Sequence, residues 1–213
     1  MIKIFAVSGF KNSGKTTLCR RLLAELAELG VRTGYIKRSS DDVLEDGGTD
    51  TASVEKMGVA AALWGKDGLR FEEAELEPFT PEYIVSQYFP DAEIVILEGG
   101  KYLSLPKIWV ENGEPRPADV RGVFMVYDRK GAGDGEMRFG EGDEALIAER
   151  LAATVRGKYY RSSKVYIGDR PLPMKDFIAD FVRGAVLGML ASLKGGKDPK
   201  VPVRIYLDGE VKK

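Results

Sequence analysis

Two glycines five residues apart, followed at once by a lysine and two threonines, join an apolar run to a helical pattern near the start of this chain: residues 8–17 read SGFKNSGKTT. Upstream, Ile2 to Val7 reads as a short apolar strand. Downstream, Lys15 to Leu29 places Leu18, Leu22, Leu26 and Leu29 on one helical stripe. Gly30 is positioned to end that helix in a left-handed conformation, and VRTGYIK at 31–37 reads as a second strand. Strand, helix, strand is the building unit of a parallel sheet, so an α/β fold with a mostly parallel sheet is expected.

The connecting loop has a chemistry of its own. Gly9, Gly14, Lys15 and Thr16 satisfy a spacing of glycine, four residues, glycine, lysine, threonine. Glycines let the backbone turn tightly and aim successive N–H groups at one anion, and the positive end of the following helix adds to the attraction. The spacing predicts a phosphate cradle made of Gly9, Lys11, Asn12, Ser13, Gly14, Lys15, Thr16 and Thr17. Lys15 is expected to reach the outer phosphates and the Thr16 hydroxyl to bind Mg2+. An accidental glycine turn is the bland alternative, and the flanking strand and helix argue against it.

A phosphate-bound Mg2+ is usually tethered as well by an acid at the end of a neighbouring strand. Glu98 closes the apolar run AEIVILEGG (92–100), and Gly99 and Gly100 leave room beside it for a ligand. Lys37, at the end of the second strand, is expected to point into the crevice at the carboxyl ends of the strands. The acids of the loop RSSDDVLEDGGTDT (38–51) read mostly as a solvated surface. No asparagine-lysine-x-aspartate signature is present, so spacing does not identify the base. GAGDG at 131–135 reads as a hairpin loop rather than a second nucleotide site.

Further along, a short helix is expected over Ala52 to Met57, a strand over Val59 to Trp64, and a tight turn at Asp67-Gly68. Thr80 and Pro81 cap a helix running to Phe89. GVFMVYD (122–128) reads as a buried strand and residues 143–155 as a helix with Leu146, Ile147, Leu151 and Val155 apolar. The last section differs in character, with a strand and turn in KVYIGDRPLP, a helix from Met174 to Leu193 and a strand in VPVRIYL. A nucleotide-binding domain over 1–160 and a small strand-helix-strand extension over 161–213 follow from this pattern. In the extension helix Ile178, Phe181, Val182, Ala185, Met189 and Leu193 make one apolar stripe, with Phe177, Gly184 and Gly188 on an adjacent face. A helix so widely apolar belongs in a core or at an interface for self-association or partner docking.

Composition narrows the chemistry. The chain has 32 basic and 33 acidic residues and a formal net charge of −1, which gives no footprint for nucleic acid. It has no histidine and one cysteine, Cys19. Hydrolase triads that need a histidine base, thiolate or imidazole metal clusters and an internal disulfide are thereby excluded. The most apolar run, FIADFVRGAVLGMLASL (177–193), is interrupted by Asp180 and Arg183 and falls short of the roughly 20 residues that span a bilayer. MIKIFAVSG at the N-terminus is too short and too alternating for a signal peptide, so a cytoplasmic soluble protein with no membrane partner is expected.

The stretches GFKNSGKTTL (9–18), GYIK (34–37), GTDT (48–51), EGGK (98–101) and LPKI (105–108) occur in an order and at intervals similar to those of a known family. Over roughly residues 1–130 the chain resembles the molybdopterin-guanine dinucleotide biosynthesis protein B (MobB) family, GTP-binding accessory proteins of molybdenum cofactor assembly. The resemblance implies a P-loop NTPase three-layer sandwich, in the class that includes dethiobiotin synthetase and nickel-enzyme accessory GTPases. It also implies binding of GTP and Mg2+, slow hydrolysis, a homodimer, and assistance to the molybdopterin guanylyltransferase or other molybdenum cofactor enzymes. By the family's pattern Asp50 and Glu98 lie near nucleotide and metal, Asp50 in a catalytic role with Lys15, and Lys101 and Lys107 lie near the same face. Where the family usually carries histidines after the second strand, this chain has RSSDD, and its tail beyond about 160 lies outside the family domain. Two other readings stand beside this one. A small-molecule kinase or ligase of the dethiobiotin synthetase type needs a committed acceptor pocket, and a nucleotide-gated interaction module would use the tail for docking.

Overall fold

In a computed structural model, residues 2–40, 43–44, 60–73, 79–131, 137–156, 163–168, 170–196 and 203–207 are described. The strands are β1 (Lys3–Gly9), β2 (Thr33–Lys37), β3 (Ala61–Trp64), β4 (Leu69–Glu72), β5 (Ile94–Glu98), β6 (Lys107–Glu111), β7 (Val123–Asp128), β8 (Arg138–Phe139), β9 (Tyr166–Ile167) and β10 (Arg170–Pro171). The helices are α1 (Lys15–Glu28), α2 (Pro81–Tyr88), α3 (Glu144–Ala153) and α4 (Asp176–Ala191). Six strands form one sheet in the order β2-β5-β1-β6-β7-β8, and every pairing in it is parallel. The glycine loop therefore leaves a central strand.

Side chains alternate across the sheet with a period of two, and each face is covered. On one side Phe5 and Val7 of β1, Ile94 and Ile96 of β5 and Ile108 and Val110 of β6 meet Leu18, Leu22 and Leu26 of α1 and Ile147 and Leu151 of α3. On the other, Ile2, Val95 and Ala92 pack with Val85 of α2, against partly buried Ile4, Ile36 and Phe89. Helix, sheet and helix make the expected three layers. The leucine stripe of α1 places Leu18, Leu22 and Leu26 in the core. Its C-terminus is closed by Gly30 at φ 71°, where the Gly30 N–H donates to Ala27 O at 2.9 Å and the Val31 N–H to Leu26 O at 3.0 Å. That pair of bonds satisfies carbonyls the helix would otherwise leave open. Thr80 caps α2 by accepting the Tyr83 N–H at 3.0 Å, with Pro81 in the first turn.

Several expectations are revised. KIWVE forms β6 although its charged ends disguise a strand whose Lys107, Ile108, Trp109 and Val110 are all buried. In α3, Leu146 is 44% exposed, because Ile147, Ala148, Leu151 and Ala152 turn inward instead. The extension is a β9–β10 hairpin followed by α4, and residues 203–207 carry no strand pairing. An isolated alternating segment has no ladder to join. The hairpin at Asp67-Gly68 joins β3 to β4 as expected. The proposed helix at 52–57, Val59, the centre of GAGDG, and the boundary near 160 fall outside the described residues.

Candidate functional site

The parallel register sets the site. Val7 of β1 pairs with Glu98 of β5, Lys37 of β2 also pairs with Glu98, and Gly9 pairs with Val110 of β6. The glycine loop, Lys37 and Glu98 thus share the carboxyl end of the sheet, where α/β folds bind ligands. Ser8 Oγ donates to Gly99 O at 2.6 Å, and the Gly99 N–H donates to Val7 O at 2.9 Å, so β1 and the end of β5 are tied together.

Within the loop, Asn12 (φ 60°) and Gly14 (φ 97°) take left-handed conformations. A Cβ on Gly9 would stand 2.6 Å from Val110 O and 2.7 Å from Ser13 Oγ, so only glycine fits. Gly14 caps α1 without a side-chain hydrogen bond, and no acid occupies the first turn of the helix. The helix's leading N–H groups and positive end are therefore left to an anion. Ser13 Oγ is buried without a hydrogen-bond partner among the described residues. Lys11, Asn12 and Thr17 lie exposed on the loop and the first turn of α1.

Glu98, 5% exposed, is the hub. Thr16 Oγ1 donates to its Oε1 at 2.7 Å, Tyr35 Oη donates to its Oε2 at 2.6 Å, and Lys37 Nζ stands 3.8 Å from Oε1. Burial by itself raises its pKa, but the hydrogen bonds from Tyr35 and Thr16 and the charges of Lys37 and Lys15 prevail and hold it below the ordinary carboxylate value. Lys15 Nζ donates to Phe10 O. Burial lowers the Lys15 pKa, and the charge of Glu98 opposes this. Cys19, on the buried side of α1, has its thiol pushed up to about 12 by burial and by Glu98, which makes it an inert core residue.

Gly99 adopts φ 100°, where a Cβ would approach Arg38 O to 2.9 Å. Lys101 Nζ lies over the Phe10 ring, 5.4 Å from its centroid, and over the Tyr102 ring at 5.1 Å. It is held beside the loop by aromatic faces. Lys107 has another task. It is fully buried, and its Nζ donates to Leu103 O at 2.7 Å, Leu105 O at 3.1 Å and Arg121 O at 2.5 Å. It pins the segment between β5 and β6 and does not reach the glycine loop. Asp50 and the acids at 41, 42, 45 and 46 fall outside the described residues. Tyr35 escaped the sequence reading, although its place two residues before Lys37 puts both on one face of β2. A separate cleft of about 280 Å³, lined by Arg32, Thr33, Tyr88, Phe89, Asp91 and Arg204, lies at the opposite, amino end of the strands. Among the described residues no helix is long and apolar enough to cross a membrane.

A mostly parallel sheet whose central strand turns through a glycine-lysine-threonine loop into a helix defines an α/β protein of the P-loop NTPase fold class. Residues 4–120 match the family described as molybdopterin guanine dinucleotide synthesis protein B, and the chain belongs to that family. It is 26% identical over 113 residues to the molybdopterin-guanine dinucleotide biosynthesis adapter protein of Escherichia coli (strain K12), a match covering 51% of this chain and 65% of the relative. The adapter protein of the same description from Haemophilus influenzae (strain ATCC 51907 / DSM 11121 / KW20 / Rd) is 28% identical over 116 residues, with 53% of this chain and 65% of the relative covered. The chain thus matches 65%, less than two thirds, of the length of each of these relatives. A crystal structure of molybdopterin-guanine biosynthesis protein B is similar at a TM-score of 0.54 and 25% identity, over 72% of this chain and 99% of that one. The structure of Bacillus subtilis MobB shares the fold at a TM-score of 0.56 and 22% identity, over 74% of this chain and 100% of that one.

Proposed function

We propose that this chain is a GTP-binding accessory protein with weak GTPase activity that assists maturation of the molybdenum cofactor to its molybdopterin guanine dinucleotide form. The observation that supports this most is the Thr16–Glu98 contact at 2.7 Å beside an uncapped helix N-terminus. A hydroxyl and a carboxylate held together at the foot of a phosphate loop are the hard oxygen donors suited to Mg2+. The orphaned Ser13 hydroxyl fits the same picture, since a bound phosphate would give it a partner.

In this reading the backbone N–H groups of Gly9 to Thr17 surround the phosphates. Lys15 exchanges the Phe10 carbonyl for the outer phosphate oxygens. Thr16 and Glu98 hold Mg2+, directly or through water, and the ion when bound neutralises charge on the phosphates. Tyr35 and Lys37 keep Glu98 ionised and aimed at Thr16. Lys101 borders the loop from the Phe10 side, and Asp50 supplies the catalytic acid implied by the family's pattern. The preference for guanine, the homodimer, the cytoplasmic setting and partnership with the molybdopterin guanylyltransferase or another molybdenum cofactor enzyme rest on family membership.

Titration with GTP and ATP analogues, in Mg2+ and in chelator, tests this. GTP is expected to bind more tightly than ATP. Lys15→Ala removes a cation from among anionic oxygens and should weaken binding in both media, by several kcal/mol. Glu98→Gln keeps the shape and loses the charge, so its loss should be large in Mg2+ and small in chelator. An ATP analogue that bound as tightly as GTP would remove the guanine assignment. Equal losses for Glu98→Gln in the two media would remove Glu98 from the metal site.

A further inference from the structure

Arginines around α1 differ in what they bind. Arg21 bonds to Glu144 and Glu141, at 2.7 Å each, and Arg138 bonds to Glu111. Arg129 has neither a hydrogen bond nor an ion pair among the described residues. Its side chain lies instead along the first residue of the helix cap. A Cβ on Gly14 would stand 3.1 Å from Arg129 Cδ, 3.5 Å from Nη1 and 3.9 Å from Nε.

Sheet register explains how it arrives there. Gly9 pairs with Val110, and Val110 pairs with Tyr127. Arg129 is two residues beyond that level, about 6–7 Å further along the strand direction, at the height of the glycine loop. The Asp128 carboxylate ends the strand by accepting the Lys130 N–H at 3.0 Å. An exposed arginine without a carboxylate partner among the described residues thus rests on an uncapped helix N-terminus that has no acid in its first turn. Two positive features side by side repel each other unless an anion joins them.

We propose that Arg129 is a phosphate-contacting residue, its guanidinium closing the side of the loop at Gly14 and donating to non-bridging oxygens of the bound nucleotide. This rests on the nucleotide-binding reading given above. The planar fork of N–H donors suits phosphate geometry. It adds a cation on the β7 side of the loop, with Lys101 on the Phe10 side and Lys15 within. Neither the phosphate-loop spacing nor the stretches that carry the family resemblance include Arg129.

The test is titration of a non-hydrolysable GTP analogue in Mg2+ against wild type, Arg129→Gln and Arg129→Lys, at low and high ionic strength. Thermal melting of the nucleotide-free proteins runs alongside, with Lys15→Ala as the control for the site. Arg129→Gln is expected to bind about tenfold more weakly, the worth of a charge-assisted hydrogen bond. Arg129→Lys should recover part of the loss, and the gap to wild type should narrow as salt screens it. The nucleotide-free melts should coincide. Wild-type affinity in Arg129→Gln while Lys15→Ala loses binding would overturn the proposal and leave the nucleotide reading intact. Equal losses in the Gln and Lys variants, with melting temperatures falling in step, would make Arg129 a packing residue and overturn it too. A wild type that binds no analogue would remove the nucleotide reading and this proposal together.

Discussion

Glu98 concentrates the electrostatics of the molecule on one side chain. Its neighbours Tyr35, Thr16, Lys37 and Lys15 hold its pKa below the ordinary 4.5. The unfolded chain therefore takes up this proton at higher pH than the folded one. The stabilisation is complete above the ordinary value and is lost as pH falls through the folded value. Glu144 behaves likewise, since burial is outweighed by hydrogen bonds from Tyr127 and Arg21. Denaturant melts from pH 7 downward should show stability declining below about pH 4.5, with a shallower decline in Glu98→Gln. An unchanged slope in that variant would show that Glu98 is not held ionised. Tyr35→Phe removes one donor to a buried carboxylate, at a cost of about 1 kcal/mol. The folded value then moves up toward the ordinary one, so the acid decline should become smaller and end at a higher pH, with its onset unchanged.

At the scale of elements, α1 carries the site and its two ends have opposite requirements. The C-terminus is closed locally by Gly30, where a Cβ would meet nothing within 4 Å. Gly30→Ala should therefore cost only the left-handed backbone, about 1–2 kcal/mol, with nucleotide binding unchanged. The N-terminus is left open, and its glycines answer to distant contacts. Gly9→Ala would place a Cβ against the Val110 carbonyl of β6 at 2.6 Å, a backbone atom that cannot swing aside. It should destabilise more than Gly30→Ala and disturb the β1–β6 junction, as paired denaturant melts and hydrogen exchange at Val110 would show. The helix and its closing glycine were legible because leucine spacing and a terminal glycine are local signals. Strand β6 was hidden, because Lys107 and Glu111 make KIWVE look polar and the burial of Lys107 depends on carbonyls of residues 103, 105 and 121.

Across the whole molecule the extension stands apart from the core. Neither hydrophobic cluster extends beyond Val155, and α4 buries only Ala179 while Phe177 is 75% and Phe181 66% exposed. Its described ties to the main sheet are polar: Lys164 Nζ donates to Ala92 O at 3.0 Å, and Arg204 pairs with Asp91. The chain cut after residue 160 should therefore fold with a loss of no more than about 2 kcal/mol and keep its nucleotide affinity. Failure of the shortened chain to melt cooperatively would show that the extension belongs to the folding unit.

By itself the sequence determined the phosphate loop, the strand-helix-strand unit around it, the α/β class, and the exclusion of histidine and thiolate-cluster chemistry. Those are matters of spacing and composition, fixed within a few residues or by a count. Tertiary structure alone decided that Thr16 and Glu98, 82 residues apart, meet at 2.7 Å. It also brought Tyr35 to the same carboxylate, turned Lys107 away from the loop to three carbonyls, and laid Arg129 against Gly14. Each of these depends on the register and order of parallel strands. That order is set by packing between segments far apart in the chain, which no local periodicity encodes.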